Sequence, residues 1–143
     1  SLNEASGGRI DGWKETWKVF LENPFFGVGP GNYGLYLGQE AGYVPTNVSF
    51  ELLATLGIGG FLAFYGLTAS LFARAAALYR RERSESAFLI LAFAVALILF
   101  TLILQINQGY LRLYHWMAFG VLAGALERER MLKKYSFAEV SHA

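Results

Sequence analysis

The sequence predicts an all-α membrane protein, with three transmembrane helices preceded by an extracytoplasmic loop that contains an amphipathic helix. Three observations predict it. Of 143 residues, 55% are hydrophobic and 16% charged, whereas soluble domains carry about a quarter charged residues. The deficit is concentrated, because Leu52 to Ala73 and Ala87 to Leu111 contain no charge at all. About 20 such residues in a helix cross a hydrocarbon layer about 30 Å thick. The remaining basic residues are also gathered: Arg74, Arg80, Arg81 and Arg83 lie between those two runs, and Arg128, Arg130, Lys133 and Lys134 follow a third, shorter one. By the positive-inside rule both clusters face the cytoplasm. Three crossings then set Ser1 to Asn47, and the Gln105–Arg112 turn, on the opposite face.

Taken in order, Ser1 to Gly8 is a small, polar lead-in. It has neither a starting methionine nor the basic-then-apolar layout of a signal peptide. The chain therefore reads as the C-terminal part of a longer membrane protein, whose N-terminal transmembrane half is an expected partner. Residues 1–47 form the extracytoplasmic segment. Within it Ile10, Trp13, Trp17, Phe20 and Leu21 recur at helical spacing, with Asp11, Lys14, Glu15, Lys18 and Glu22 between them. That pattern predicts an amphipathic helix over 9–22, lying at the lipid–water boundary or packed on the rest of the protein. Asn23-Pro24 ends it, since proline disfavours helical geometry in the residue before it.

Glycines at 27, 29, 31 and 34 surround Pro30. Their spacing fits neither a dinucleotide fingerprint nor a P-loop, and a tight turn leading back to the membrane is expected. Gly29, Gly31 and Asn32 remain candidates for close backbone approach to a diphosphate. Tyr33 to Tyr43 predicts a short helix and a loop. Pro45-Thr46-Asn47 opens the first span, about 50–73, with Thr46, Asn47 or Ser49 as its cap. Gly57, Gly59, Gly60 and Gly66 inside it, and Gly120 and Gly124 in the last span, are read as points of close helix contact.

The second span, about 87–107, is aliphatic and phenylalanine-rich. The third, about 110–126, has only 14 uncharged residues from Leu113 to Leu126, and extending it back to Tyr110 puts Arg112 in its first turn, where it can snorkel. Residues 48–135 make the transmembrane domain and 136–143 a cytoplasmic tail.

Two arginines and one acid are the candidates for chemistry. Arg9 and Arg112 are guanidinium groups on the extracytoplasmic face, suited to bidentate contact with phosphate oxygens. Glu51 lies one turn into the first span, where an ionisable group usually faces a polar cavity or a partner. It is either a general base for an acceptor hydroxyl or a structural ion-pair partner. His115, among tyrosines and tryptophan, reads as an interfacial anchor. Cysteine is absent, and no metal-ligand spacing occurs on the external side, so neither a metal nor another cofactor is expected. Basic residues are too scattered for nucleic acid.

Taken together, these residues resemble the C-terminal half of the O-antigen ligase and O-antigen polymerase family of bacterial membrane proteins. Arg9 with Trp13, then Asn23-Pro24-Phe25-Phe26-Gly27-Val28-Gly29-Pro30-Gly31-Asn32, is similar to that family's arginine–tryptophan and N-P-hydrophobic-G-x-G-x-G-N signature. Asn47, Glu51, Leu53, Gly57 and Gly60 match its stretch entering the next span. The resemblance covers Gly8 to Phe64 by sequence and the remaining spans by topology alone.

It implies a metal-independent glycosyltransferase of the bacterial inner membrane. Such an enzyme moves a glycan from undecaprenyl diphosphate to a glycan, lipid or protein acceptor. Arg9 would bind the donor diphosphate, with Arg112 assisting, and the Thr46–Asn47–Glu51 helix entrance would lie near the acceptor. Thr46 stands where the family has a histidine thought to activate the acceptor, and threonine is no base near neutral pH. The alternative is a membrane transporter or a non-catalytic membrane component of the same family.

Overall fold

The computed structural model describes residues 9–40, 43, 45, 47–106 and 113–140. Every regular element among them is a helix: α1 Arg9–Glu22, α2 Tyr33–Tyr36, α3 Val48–Glu82, α4 Glu85–Ile103 and α5 Leu113–Val140. Two of these, α3 and α4, are long and apolar enough to cross a membrane. Among the described residues the last helix is not a third such helix. Its 14 uncharged residues, 113–126, rise only about 21 Å before the run Glu127, Arg128, Glu129, Arg130. It also continues to Val140, so most of the expected 136–143 tail carries on the helix.

The chain forms two compact units, one of Ser1–Gly66 with Phe100–Leu111, the other of Leu67–Leu99 with Arg112–Ala143.

In the first unit α1 has the bounds its apolar spacing predicts, but a different face is buried. Thr16 and Val19 are sealed, while Trp17 and Leu21 are 46% and 60% exposed. Val19 packs with Tyr33 and Ala54, flanked by Val28 and Leu37. A buried threonine is tolerable when its hydroxyl is satisfied. Thr16 Oγ1 gives its one hydrogen to the Gly12 carbonyl at 2.7 Å, so Tyr33 must be the donor in the 2.8 Å bond between the two hydroxyls. Polar bonding, rather than apolar spacing, selects the face.

The helix read as a single span from about 50 to 73 is broken. Gly57, at φ 66° and ψ −167°, is non-helical and divides α3 into a piece ending at Leu56 and a piece starting at Ile58. The upstream piece is anchored to the end of α4, where Val48 N donates to the Leu104 carbonyl at 3.1 Å.

The second unit closes on small and apolar side chains, with Ala75, Ala87, Ala94, Leu71, Leu97 and Leu122 all buried. Glu127 bridges Arg74 at 3.6 Å and Arg130 at 3.5 Å, and Lys133 pairs with Glu82. These pairs sit where the apolar runs end. His115 is fully buried, edge-on to Phe119 at 4.8 Å between ring centres. It is an interior residue of this unit and not the outward-facing anchor expected from its aromatic neighbours.

Candidate functional site

Both features of interest lie in the first unit, on the upstream piece of α3. The first is the helix entrance. Asn47 is the cap: its Oδ1 accepts from the Ser49 and Phe50 amides at 2.9 and 3.1 Å, meeting donors that have no partner within the helix. Its Nδ2 donates to the Gln105 carbonyl at 2.7 Å.

Beside it three side chains form a closed ring. Ser49 Oγ donates to Gln105 Oε1 at 2.7 Å, and Gln105 Nε2 donates to the Tyr65 hydroxyl at 2.8 Å. Ser49 has spent its hydrogen, so Tyr65 must donate in the 2.7 Å bond that joins their hydroxyls. Each group both gives and accepts, and such rings reinforce themselves in a low dielectric. Gln105 Nε2 has a second acceptor in the Thr101 carbonyl at 3.1 Å. The ring ties the start of α3 and, through Tyr65, its downstream piece to the end of α4, and every hydroxyl hydrogen in it is committed.

The second feature is the break. In an unbroken helix Ile58 N would donate to Ala54 O, and Gly59 N to Thr55 O. Here Ile58 N donates to the Pro24 carbonyl at 2.8 Å, while Val28 N and Gly29 N donate to Ala54 O and Thr55 O, both at 2.9 Å. The Pro24–Gly29 loop thus replaces the helix's own partners with backbone of its own. Two glycines make this possible. A Cβ on Gly27 would stand 2.3 Å from the Thr55 carbonyl carbon, and one on Gly57 2.4 Å from the carbonyl of Phe25. Their φ angles, 65° and 66°, are positive as well, and at Gly57 the combination with extended ψ is open to essentially no other residue.

Each sequence-derived candidate can now be placed. Arg9 begins α1 and is exposed. One turn further on, Trp13 stacks on Phe50 at 5.8 Å with 20° between planes, which sets the start of α1 against the first turn of α3. The indole Nε1 of Trp13 is buried with no hydrogen-bond partner among the described residues. Glu51, next to Phe50, is 3% exposed and is the one buried carboxylate among the described residues. Its backbone N–H donates to the Asn47 carbonyl at 2.9 Å.

Gly29 requires a correction: its amide is committed to Thr55 and is no donor for a phosphate. Asn32 is likewise engaged, its Nδ2 on the Val28 carbonyl at 3.1 Å and its amide on the Gly29 carbonyl at 3.2 Å. Gly31, at φ 77°, is exposed, with nothing within 4 Å of a Cβ position. Thr46 and Arg112 lie outside the described residues.

The structure therefore sets Arg9's helix, through Trp13, against the first turn of α3, which also holds Glu51, and assigns the glycine-rich loop to the helix break. Sequence reasoning missed Tyr65 and Gln105. Tyr65 carried a signal in its position, a hydroxyl within an apolar run, while Gln105 was read only as the start of the turn after α4. No protein-family model, no curated protein and no solved structure matches the chain.

Proposed function

We propose that the chain is the C-terminal part of a membrane glycosyltransferase resembling the O-antigen ligases and polymerases, acting on a polyprenyl-diphosphate-linked glycan at the extracytoplasmic face. One observation carries the reading. The two stretches that hold the resemblance, 9–32 and 47–60 among the described residues, fold against each other in one unit, through the Trp13–Phe50 stack and the loop–helix exchange at Gly57.

In this reading the exposed Arg9 grips the donor diphosphate through paired N–H donors. It stabilises the charge that develops as the diphosphate leaves the sugar. Glu51, buried at the same helix entrance, is the group to take the acceptor's proton in place of the histidine that Thr46 replaces. The third crossing, about 110–126 in the sequence, and the assistance of Arg112 at the donor diphosphate belong to the same proposal. The loop and α1 lie outside the cytoplasm, and the basic ends of α3 and α5 lie inside.

A transporter would need open polar groups near the middle of the membrane. The backbone groups released at Gly57 are already taken by the loop, which weighs against that alternative.

In the complete protein Arg9→Ala should reduce glycan transfer from a polyprenyl-diphosphate donor by at least about a hundredfold, the usual cost of one lost transition-state donor. Arg9→Lys should restore only part of it. Wild-type turnover in the Arg9→Ala protein, with normal membrane insertion, would reject the assignment.

A further inference from the structure

The loop that fills the helix break carries the most exposed large apolar side chain among the described residues, Phe26 at 87%, beside Phe25 at 71%. We infer that Pro24–Gly29 enters the membrane and that Phe25 and Phe26 face lipid hydrocarbon. This rests on the membrane reading of α3, but not on any transferase activity.

Three observations carry it. The first is continuity. The Pro24 carbonyl sits 2.8 Å from Ile58 N, so Phe25 adjoins the helix surface on which Ile58 and Leu62 are 36% and 61% exposed. Lipid that covers those residues reaches the loop as well.

The second is length. From the break to the first charge, Ile58 to Ala73, there are 16 residues, a rise of about 24 Å at most. A hydrocarbon layer about 30 Å thick needs more helix than that. With Arg74 held at the far boundary of the layer, the break and the loop docked on it lie within the apolar layer or at its edge.

The third is backbone chemistry. Irregular chain is admitted at membrane depth only where its polar groups are met by protein, and on both sides of the Phe25–Phe26 pair the loop meets that condition. Proline brings no N–H, and the Pro24 carbonyl is bonded. The Gly27 amide donates to Asn23 O at 3.0 Å, and the Val28 and Gly29 amides donate to α3. No charged residue occurs from Asn23 to Gln39.

The chain has no cysteine, so a single introduced cysteine gives a unique label. Phe26→Cys, Leu62→Cys and Lys14→Cys, each in the full chain, carry an environment-sensitive dye in phosphatidylcholine–phosphatidylglycerol vesicles. Quenching is read from spin-labelled acyl chains and from aqueous iodide. The label at 26 should behave as at 62, with blue-shifted emission, strong acyl-chain quenching and iodide quenching several-fold weaker than at 14. Phe25→Cys serves if Phe26→Cys fails to assemble.

If 62 is quenched from the acyl chains while 26 follows iodide, or answers to neither quencher, water or protein covers the loop. The inference then falls while the spanning helix stands. If iodide reaches 62 as readily as 14, α3 does not cross and both fall.

Discussion

The two ends of the upstream piece of α3 are held by opposite means. At Asn47 the helix is fastened by side chains: an amide cap, then a ring of serine, tyrosine and glutamine. At Gly57 it is fastened by backbone alone, three main-chain bonds exchanged with a loop some thirty residues upstream. A side-chain fastening can be altered piece by piece, each change costing roughly one hydrogen bond. A backbone fastening depends on two chains approaching within contact distance, and there any side chain is an intrusion.

The break should therefore be the more brittle end. Gly57→Ala adds a Cβ 2.4 Å from the Phe25 carbonyl in a backbone region reserved for glycine. On the order of 3 kcal/mol of stability should be lost, from backbone strain and overpacking together. Denaturant titration in detergent would measure it, and protease cleavage near Phe25 should appear at the same time. Near-wild-type stability would mean that the loop does not dock there.

The entrance should yield more gently. Tyr65→Phe removes the donor to Ser49 and the acceptor for Gln105, and should cost about 1–2 kcal/mol. A double-mutant cycle with Gln105→Leu should be strongly non-additive. Additive losses would show that the three groups do not act as a ring.

The smallest effect concerns pH. Burial raises the Tyr33 hydroxyl above its ordinary value of 10.0, so the folded state favours the neutral phenol. Its contribution is complete below the unfolded value and is lost as pH rises through the higher folded value. Stability should fall in the alkaline range above pH 10. Tyr33→Phe should reduce that slope, at a neutral-pH cost of about 1 kcal/mol for the lost bond to Thr16. An unchanged alkaline slope in the variant would place the titrating group elsewhere.

The same contrast explains what the sequence made legible. Asn47 was among the expected caps because capping is local and chemical, and the bounds of α1 followed from its apolar period. The break at Gly57 was hidden among Gly59, Gly60 and Gly66. A glycine needed for a positive φ looks the same in sequence as one needed for close packing. Nor does a main-chain bond between Gly29 and Thr55 leave any mark on residue type. What α1 buries was hidden for a related reason: Thr16 enters the interior through Gly12 and Tyr33, partners that an apolar pattern ignores. At the candidate site, the pairing of Arg9's helix with Glu51's was anticipated only from the motif, and the stack of Trp13 on Phe50 supplies its physical form.

The loop–helix exchange also sets where this polypeptide tolerates rearrangement. Added residues are tolerated only where the link between the two partners is not itself packed, which excludes Tyr33, bonded to Thr16 and buried against Val19 and Ala54. Between Asn23 and Gly29 there is no slack, because a single insertion would shift the Val28 and Gly29 amides away from the carbonyls they serve. A truncated version starting beyond Gly29 would leave Ala54 O, Thr55 O and Ile58 N without the partners that replaced the helix's own, so the earliest safe cut falls upstream of Asn23.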